Sequence, residues 1–91
     1  MSGVGPVLIA GERANAIVSA IRELNPDVEV VDRGAYLRVT APAPCVVTRA
    51  AIERVLGQSF ELPGDLEQVM PSFKGALVLA AGEVRWEARG A

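Results

Sequence analysis

The chain has 91 residues, 51% of them apolar and 22% charged, with a formal net charge of −2. That length holds one domain, spanning residues 1–91, which buries roughly 60–65% of the surface its unfolded chain exposes. The apolar content excludes a disordered segment, and eleven acidic residues against nine basic ones, with no basic stripe, exclude the electrostatic footprint of a nucleic-acid binder.

Residues 4–10 (VGPVLIA) read as a short strand entered through Gly3, Gly5 and Pro6. Pro6 has no amide to donate and suits a sheet edge or a strand's first turn. Residues 12–24 are the clearest helix. Ala14, Ile17, Val18, Ile21 and Leu24 recur at helical spacing, while Arg13, Asn15, Ser19, Arg22 and Glu23 face away. Asn25-Pro26 stops it. Residues 28–32 and 35–40 form a hairpin about Arg33-Gly34. Its second strand alternates, with Ala35, Leu37 and Val39 on one side and Tyr36, Arg38 and Thr40 on the other. Ala41-Pro42-Ala43-Pro44 then breaks the sheet, since a proline cannot donate to a central ladder.

Residues 45–47 form a brief extended piece. Thr48 is the expected N-cap of a helix over residues 49–56, with Ile52, Val55 and Leu56 inward and Gly57 as its stop. Phe60 and Leu62 pin the next loop, Pro63-Gly64 turns, and residues 65–70 make one or two helical turns ended by Pro71. Residues 76–81 and 84–88 close the chain as a hairpin about Gly82-Glu83. The order β-α-β-β-(β)-α-β-β describes an α+β fold: a mainly antiparallel sheet packed by two main helices and a short third. Ile17, Ile21, Leu37, Val39, Ile52 and Leu56 are its expected shared core.

There is no histidine and a single cysteine, Cys45. Zinc, iron–sulfur and haem sites thereby lose their usual ligands, and the commonest general base is missing. The carboxylates are scattered, with no calcium-loop spacing. A cofactor-free, non-catalytic protein is the expectation. Cys45 has no histidine to activate it and reads as a small buried hydrophobe. Residues 1–6 lack a basic leader region, and no apolar run reaches the length of a membrane span, so the expectation is a soluble cytoplasmic protein without a membrane partner.

Eight of the nine basic residues are arginine, whose planar fork suits carboxylate pairing at protein interfaces. Met70-Pro71-Ser72-Phe73, followed by Lys74, places adaptable apolar side chains in a loop, where Phe73 either folds into the core or stays exposed. Two other functions compete. A small α+β ligand-sensing domain requires a pocket with convergent polar groups, and no such cluster is evident. A cofactor-independent enzyme using Asp32, Glu53 or Tyr36 requires paired carboxylates aimed at one point, and no spacing provides them.

Four blocks of residues resemble the small effector or coupling proteins of bacterial soluble di-iron monooxygenases, the MmoB/DmpM family. They are Val4-Gly5-Pro6 with Ala10-Gly11-Glu12; Asn25-Pro26 leading into Asp32-Arg33-Gly34-Ala35-Tyr36-Leu37-Arg38-Val39; Thr48-Arg49, Ile52-Glu53 and Leu56-Gly57 before Phe60; and Leu66-Glu67 followed by Met70-Pro71-Ser72-Phe73-Lys74-Gly75. A closing Val84-Arg85-Trp86 strand also fits. The Val4-Gly5-Pro6 block resembles the toluene, alkene and isoprene monooxygenase branch more than the phenol hydroxylases. The resemblance implies a protein with no cofactor and no small-molecule substrate of its own. It implies binding to the di-iron hydroxylase component, and control of substrate access, oxygen activation and the coupling of NADH use to hydroxylation or epoxidation. The residues expected to meet that partner are Arg33, Tyr36, Arg38, Arg49, Met70, Ser72, Phe73 and Lys74.

Overall fold

A computed structural model describes residues 3–89 of the chain. Its elements run β1 (Gly5–Ile9), α1 (Glu12–Leu24), β2 (Glu29–Asp32), β3 (Tyr36–Thr40), β4 (Cys45–Thr48), α2 (Arg49–Leu56), α3 (Gly64–Val69), β5 (Ser72–Lys74), β6 (Ala76–Ala80) and β7 (Glu83–Glu87). The α+β class is the one read from the sequence, and so is the order of elements except for β5, which lies where a loop was expected. The strands, however, divide into two antiparallel sheets, β2-β3-β1-β5 and β4-β7-β6.

Two local features cause the division. Pro42 and Pro44 have no amide hydrogen, so the chain cannot extend the β3 ladder and leaves it to begin the second sheet at Cys45. The other crossing, from β5 to β6, is made at Gly75, with φ at +105°. A Cβ there would lie 2.7 Å from the Glu87 carbonyl oxygen and 2.8 Å from a Val4 methyl, so only glycine lets the two sheets approach this closely.

Helix α1 buries Ala14, Ala16, Ile17, Ala20 and Ile21, and it packs on α2 and β4. The small residues at 16 and 20, absent from the predicted stripe, widen the buried face. Leu24, expected inside, is 44% exposed at the helix's last position. Helix α2 begins as predicted: the Thr48 hydroxyl accepts from the Ala51 amide at 3.1 Å, and Gly57 ends it at φ +78°. Val55, also expected inside, is 41% exposed because the helices do not close over it. The short Asn15, Ala16 and Ser19 side chains leave a groove of about 200 Å³ there, and Leu56 is only half-buried beside it.

The core joins the two sheets and the helices through Leu8, Ile17, Ile21, Val39, Ile52, Phe60, Val84 and Trp86, all fully buried. Leu37 is buried with them, and Leu56 packs against the cluster from its edge. Each such side chain contributes about 1.5–3 kcal/mol by leaving water. The Glu53 carboxylate accepts from the Phe60 amide at 2.9 Å, which holds the loop after α2 against the core.

Asn25 does more than end α1. Its side-chain nitrogen donates to the Ile21 and Val46 carbonyls at 2.8 and 2.7 Å, and its oxygen accepts from the Val46 amide at 2.9 Å. β4 is an edge strand, and this amide pairs with it as a neighbouring strand would.

Candidate docking surface

In an antiparallel ladder, directly opposed residues share a face. Leu37 and Val39 of β3 point inward, so Tyr36, Arg38 and Thr40 point outward. Register then extends that outer face across the four-stranded sheet. Arg38 stands between Val31 of β2 and Val7 of β1, and Val7 is followed by Ser72 of β5. Tyr36 faces Ile9, Thr40 faces Glu29, and Gly5 faces Lys74. No helix packs there: Ile9, Val31 and Tyr36 are 48, 45 and 43% exposed. Three large apolar side chains clustered on one solvent face are what a protein contact surface presents.

Its cations differ from four of the arginines elsewhere. Arg13, Arg49, Arg54 and Arg85 all sit in ion pairs, with Asp65, Glu53, Glu23 and the Glu83–Glu87 pair respectively. Among the described residues Arg33, Arg38 and Lys74 have no carboxylate within 4.0 Å; Arg22 and Arg89 have none either, but they donate to the Val28 and Gly75 carbonyls. Arg33 is carried by a stiff turn. The Asp32 carboxylate accepts from the Gly34 amide at 2.8 Å, the Arg33 amide donates to the Tyr36 carbonyl at 2.9 Å, and Gly34 takes φ +82°.

Of the eight residues expected to meet a partner, five are brought together here: Arg33, Tyr36, Arg38, Ser72 and Lys74. Three are not. Met70 was expected on the surface and is buried, because α3 turns Leu66, Val69 and Met70 together into the core. Phe73 lies on β5 opposite Pro6, whose side chain is buried, so it belongs to the inner side of the sheet. At the open edge it stays 38% exposed, but it points away from Tyr36 and Arg38. Arg49 stands beside the β6–β7 turn, its amide bonded to the Gly82 carbonyl and its guanidinium 3.6 Å from Glu53.

Ile9 and Val31 are members of the face that the sequence reading did not single out. Their signal was a pair of strands, β1 and β2, with apolar residues on both sides. The chemistry elsewhere is sparse. No group of three or more potential metal-ligating side chains occurs among the described residues. Cys45 is buried and its thiol is pushed up to about 11 by loss of solvent. A cleft of about 270 Å³ at the seam of the sheets has Lys74 and Arg89 on its rim, and otherwise only Gly, Ala and Val. No helix among the described residues is long and apolar enough to cross a membrane.

Comparison with known proteins shows the family. The model of the MmoB/DmpM family matches residues 2–87. Over 85 residues the chain is 44% identical to the effector subunit of the alkene monooxygenase system of Xanthobacter autotrophicus strain Py2, covering 91% of this chain and 83% of that protein. A solved structure of a phenol hydroxylase–regulatory protein complex contains a chain that superposes with a TM-score of 0.81, covering 96% of this chain and 98% of the other; at 21% identity this is a likeness of fold. With nearly its whole length matched, this chain belongs to the MmoB/DmpM family.

Proposed function

We propose that the chain is the effector subunit of a multicomponent monooxygenase and docks on the hydroxylase component through the outer face of its four-stranded sheet. The observation that carries the docking surface is the coincidence, on one face, of exposed Ile9, Val31 and Tyr36 with three cations that have no carboxylate partner among the described residues. The role itself is supported by the 44% identity to an alkene monooxygenase effector. Tyr36 and Ile9 supply apolar anchors, and Arg33, Arg38 and Lys74 pair with carboxylates on the di-iron hydroxylase. Phe73 reaches the partner only from the sheet's rim.

An effector with no catalytic groups of its own acts by binding one hydroxylase conformation more tightly than another. A differential of about 1–3 kcal/mol shifts that equilibrium by roughly 5–150-fold, enough to alter substrate access, oxygen activation and the coupling of NADH use to hydroxylation or epoxidation. The direct test is a binding titration against the isolated hydroxylase. Tyr36→Ala and Arg38→Ala should each weaken binding by about 1–3 kcal/mol with an unchanged fold. Added salt should weaken the arginine contribution more than the tyrosine one. Unchanged affinity in the folded double variant removes this face from docking.

A further inference from the structure

Strand β6 reads Ala76-Leu77-Val78-Leu79-Ala80, the same in both directions about Val78, and it forms the open edge of the three-stranded sheet. The opposite edge, β4, is occupied by the Asn25 amide. Val78 and Leu79 are 37 and 48% exposed. β6 has neither charge nor proline, the residues with which sheet edges ordinarily discourage pairing.

Its backbone is also self-complementary. The two-residue turn Ala81-Gly82 makes Ala80 and Glu83 the closing pair of the β6–β7 hairpin. Such a hairpin closes on a hydrogen-bonded pair, and alternation along the ladder makes Val78 and Arg85 another. The amides and carbonyls of Leu77 and Leu79 are therefore directed out of the sheet.

We propose that β6 is a dimerisation edge, on which a second copy of this chain pairs antiparallel about a two-fold axis at Val78. In that register Leu77 of one copy faces Leu79 of the other, and each exchanges both backbone hydrogen bonds with its opposite. All four outward amides and all four outward carbonyls find partners. The two Val78 side chains meet as a non-hydrogen-bonded pair, and the sheets merge into one of six strands. A two-fold interface is self-complementary; here the two-fold sets Leu77 against Leu79 and Ala76 against Ala80, so a second copy brings a strand of equal length with apolar partners at every position and no charge to repel. The edge is separate from the outer face of the other sheet, so dimerisation stands or falls independently of hydroxylase docking.

Sedimentation velocity on the full chain from about 10 μM to about 1 mM covers the affinity range of a small interface. Wild type should pass reversibly from monomer to dimer. Val78→Lys sets two cations against each other on the axis and should raise the dimer dissociation constant at least about tenfold, with native circular dichroism. Val78→Cys should cross-link to a dimer on mild oxidation, because a non-hydrogen-bonded pair brings Cα atoms to about 4.5 Å, within disulfide reach. Val31→Cys, 45% exposed on the other sheet, is the control and should cross-link far more slowly. A wild type monomeric at the highest concentration, a Val78→Lys variant dimerising normally, or equal cross-linking by the control overturns the proposal. Protection of β6 amides by hydroxylase with the free chain monomeric also overturns it, assigning the edge to the hydroxylase.

Discussion

Replacing Asn25 should cost far more than replacing an ordinary residue at a helix end. Its side chain makes three hydrogen bonds, at 2.7–2.9 Å, and two of them complete the backbone of Val46 on an edge strand. A net hydrogen bond contributes about 0.5–1.5 kcal/mol, and a part-buried backbone group left unpaired costs about 1–3 kcal/mol more. Water reaches some of the vacated site, so Asn25→Ala should lose about 2–4 kcal/mol in all. Asn25→Asp keeps the acceptor but aims a carboxylate oxygen at two carbonyls. It should therefore be worse than alanine at neutral pH and partly recover on acidification, when the protonated carboxyl donates again. The assay is equilibrium urea unfolding followed by fluorescence of Trp86, the single tryptophan, fully buried and opposite Cys45 next to the affected strand. A loss below about 0.5 kcal/mol for Asn25→Ala, or an aspartate variant more stable than the alanine one, refutes the bidentate pairing.

Ile21→Ala should lose about 2–5 kcal/mol in the same urea assay, because Ile21 is fully buried between α1 and the sheets. Gly5→Ala should lose about 2–4 kcal/mol, since the added Cβ meets the Val39 carbonyl oxygen at 2.4 Å on a backbone at φ +148°. Native Cys45 should resist an aromatic disulfide reagent at pH 8 and react with one equivalent after unfolding. Its thiol is raised by burial from 9.0 to about 11, so the stability this group lends to the fold is full below the ordinary thiol range and lost as pH rises through about 11. A stability profile flat across that alkaline range contradicts the burial argument.

The sequence foretold those parts of the fold whose signal is local. The 3.6-residue repeat marked α1, Thr48 and Gly57 bracketed α2, and the strict alternation of β3 identified which of its side chains face out. Non-local pairing was less legible. Pro42 and Pro44 announce a break in the ladder but not that the chain will open a second sheet, and β5, three residues between Pro71 and Gly75, is too short to display a period. That brevity hid the orientation of Phe73, which only its register opposite Pro6 reveals. Helical periodicity likewise misassigned Leu24 and Val55, because an apolar position is buried only where another element covers it.

The candidate surface was half visible for a related reason. Tyr36, Arg38 and Arg33 stand out against the apolar alternation and turn around them, whereas Ile9 and Val31 belong to strands apolar on both faces. Such strands are ordinarily covered on both sides. Here one side lacks a cover within the described chain, which is what a subunit designed to meet a partner would show.

The central claim is tested most directly by the product formed per NADH consumed as effector is titrated into the reconstituted monooxygenase. The Tyr36→Ala/Arg38→Ala/Lys74→Ala variant changes only exposed side chains of the outer face and should remain folded. The account predicts that this variant needs at least about tenfold more protein than wild type to reach half-maximal coupling, and that the gap narrows with salt, because screening weakens the cationic contacts that only wild type makes. A folded triple variant that restores full coupling at the wild-type concentration contradicts it.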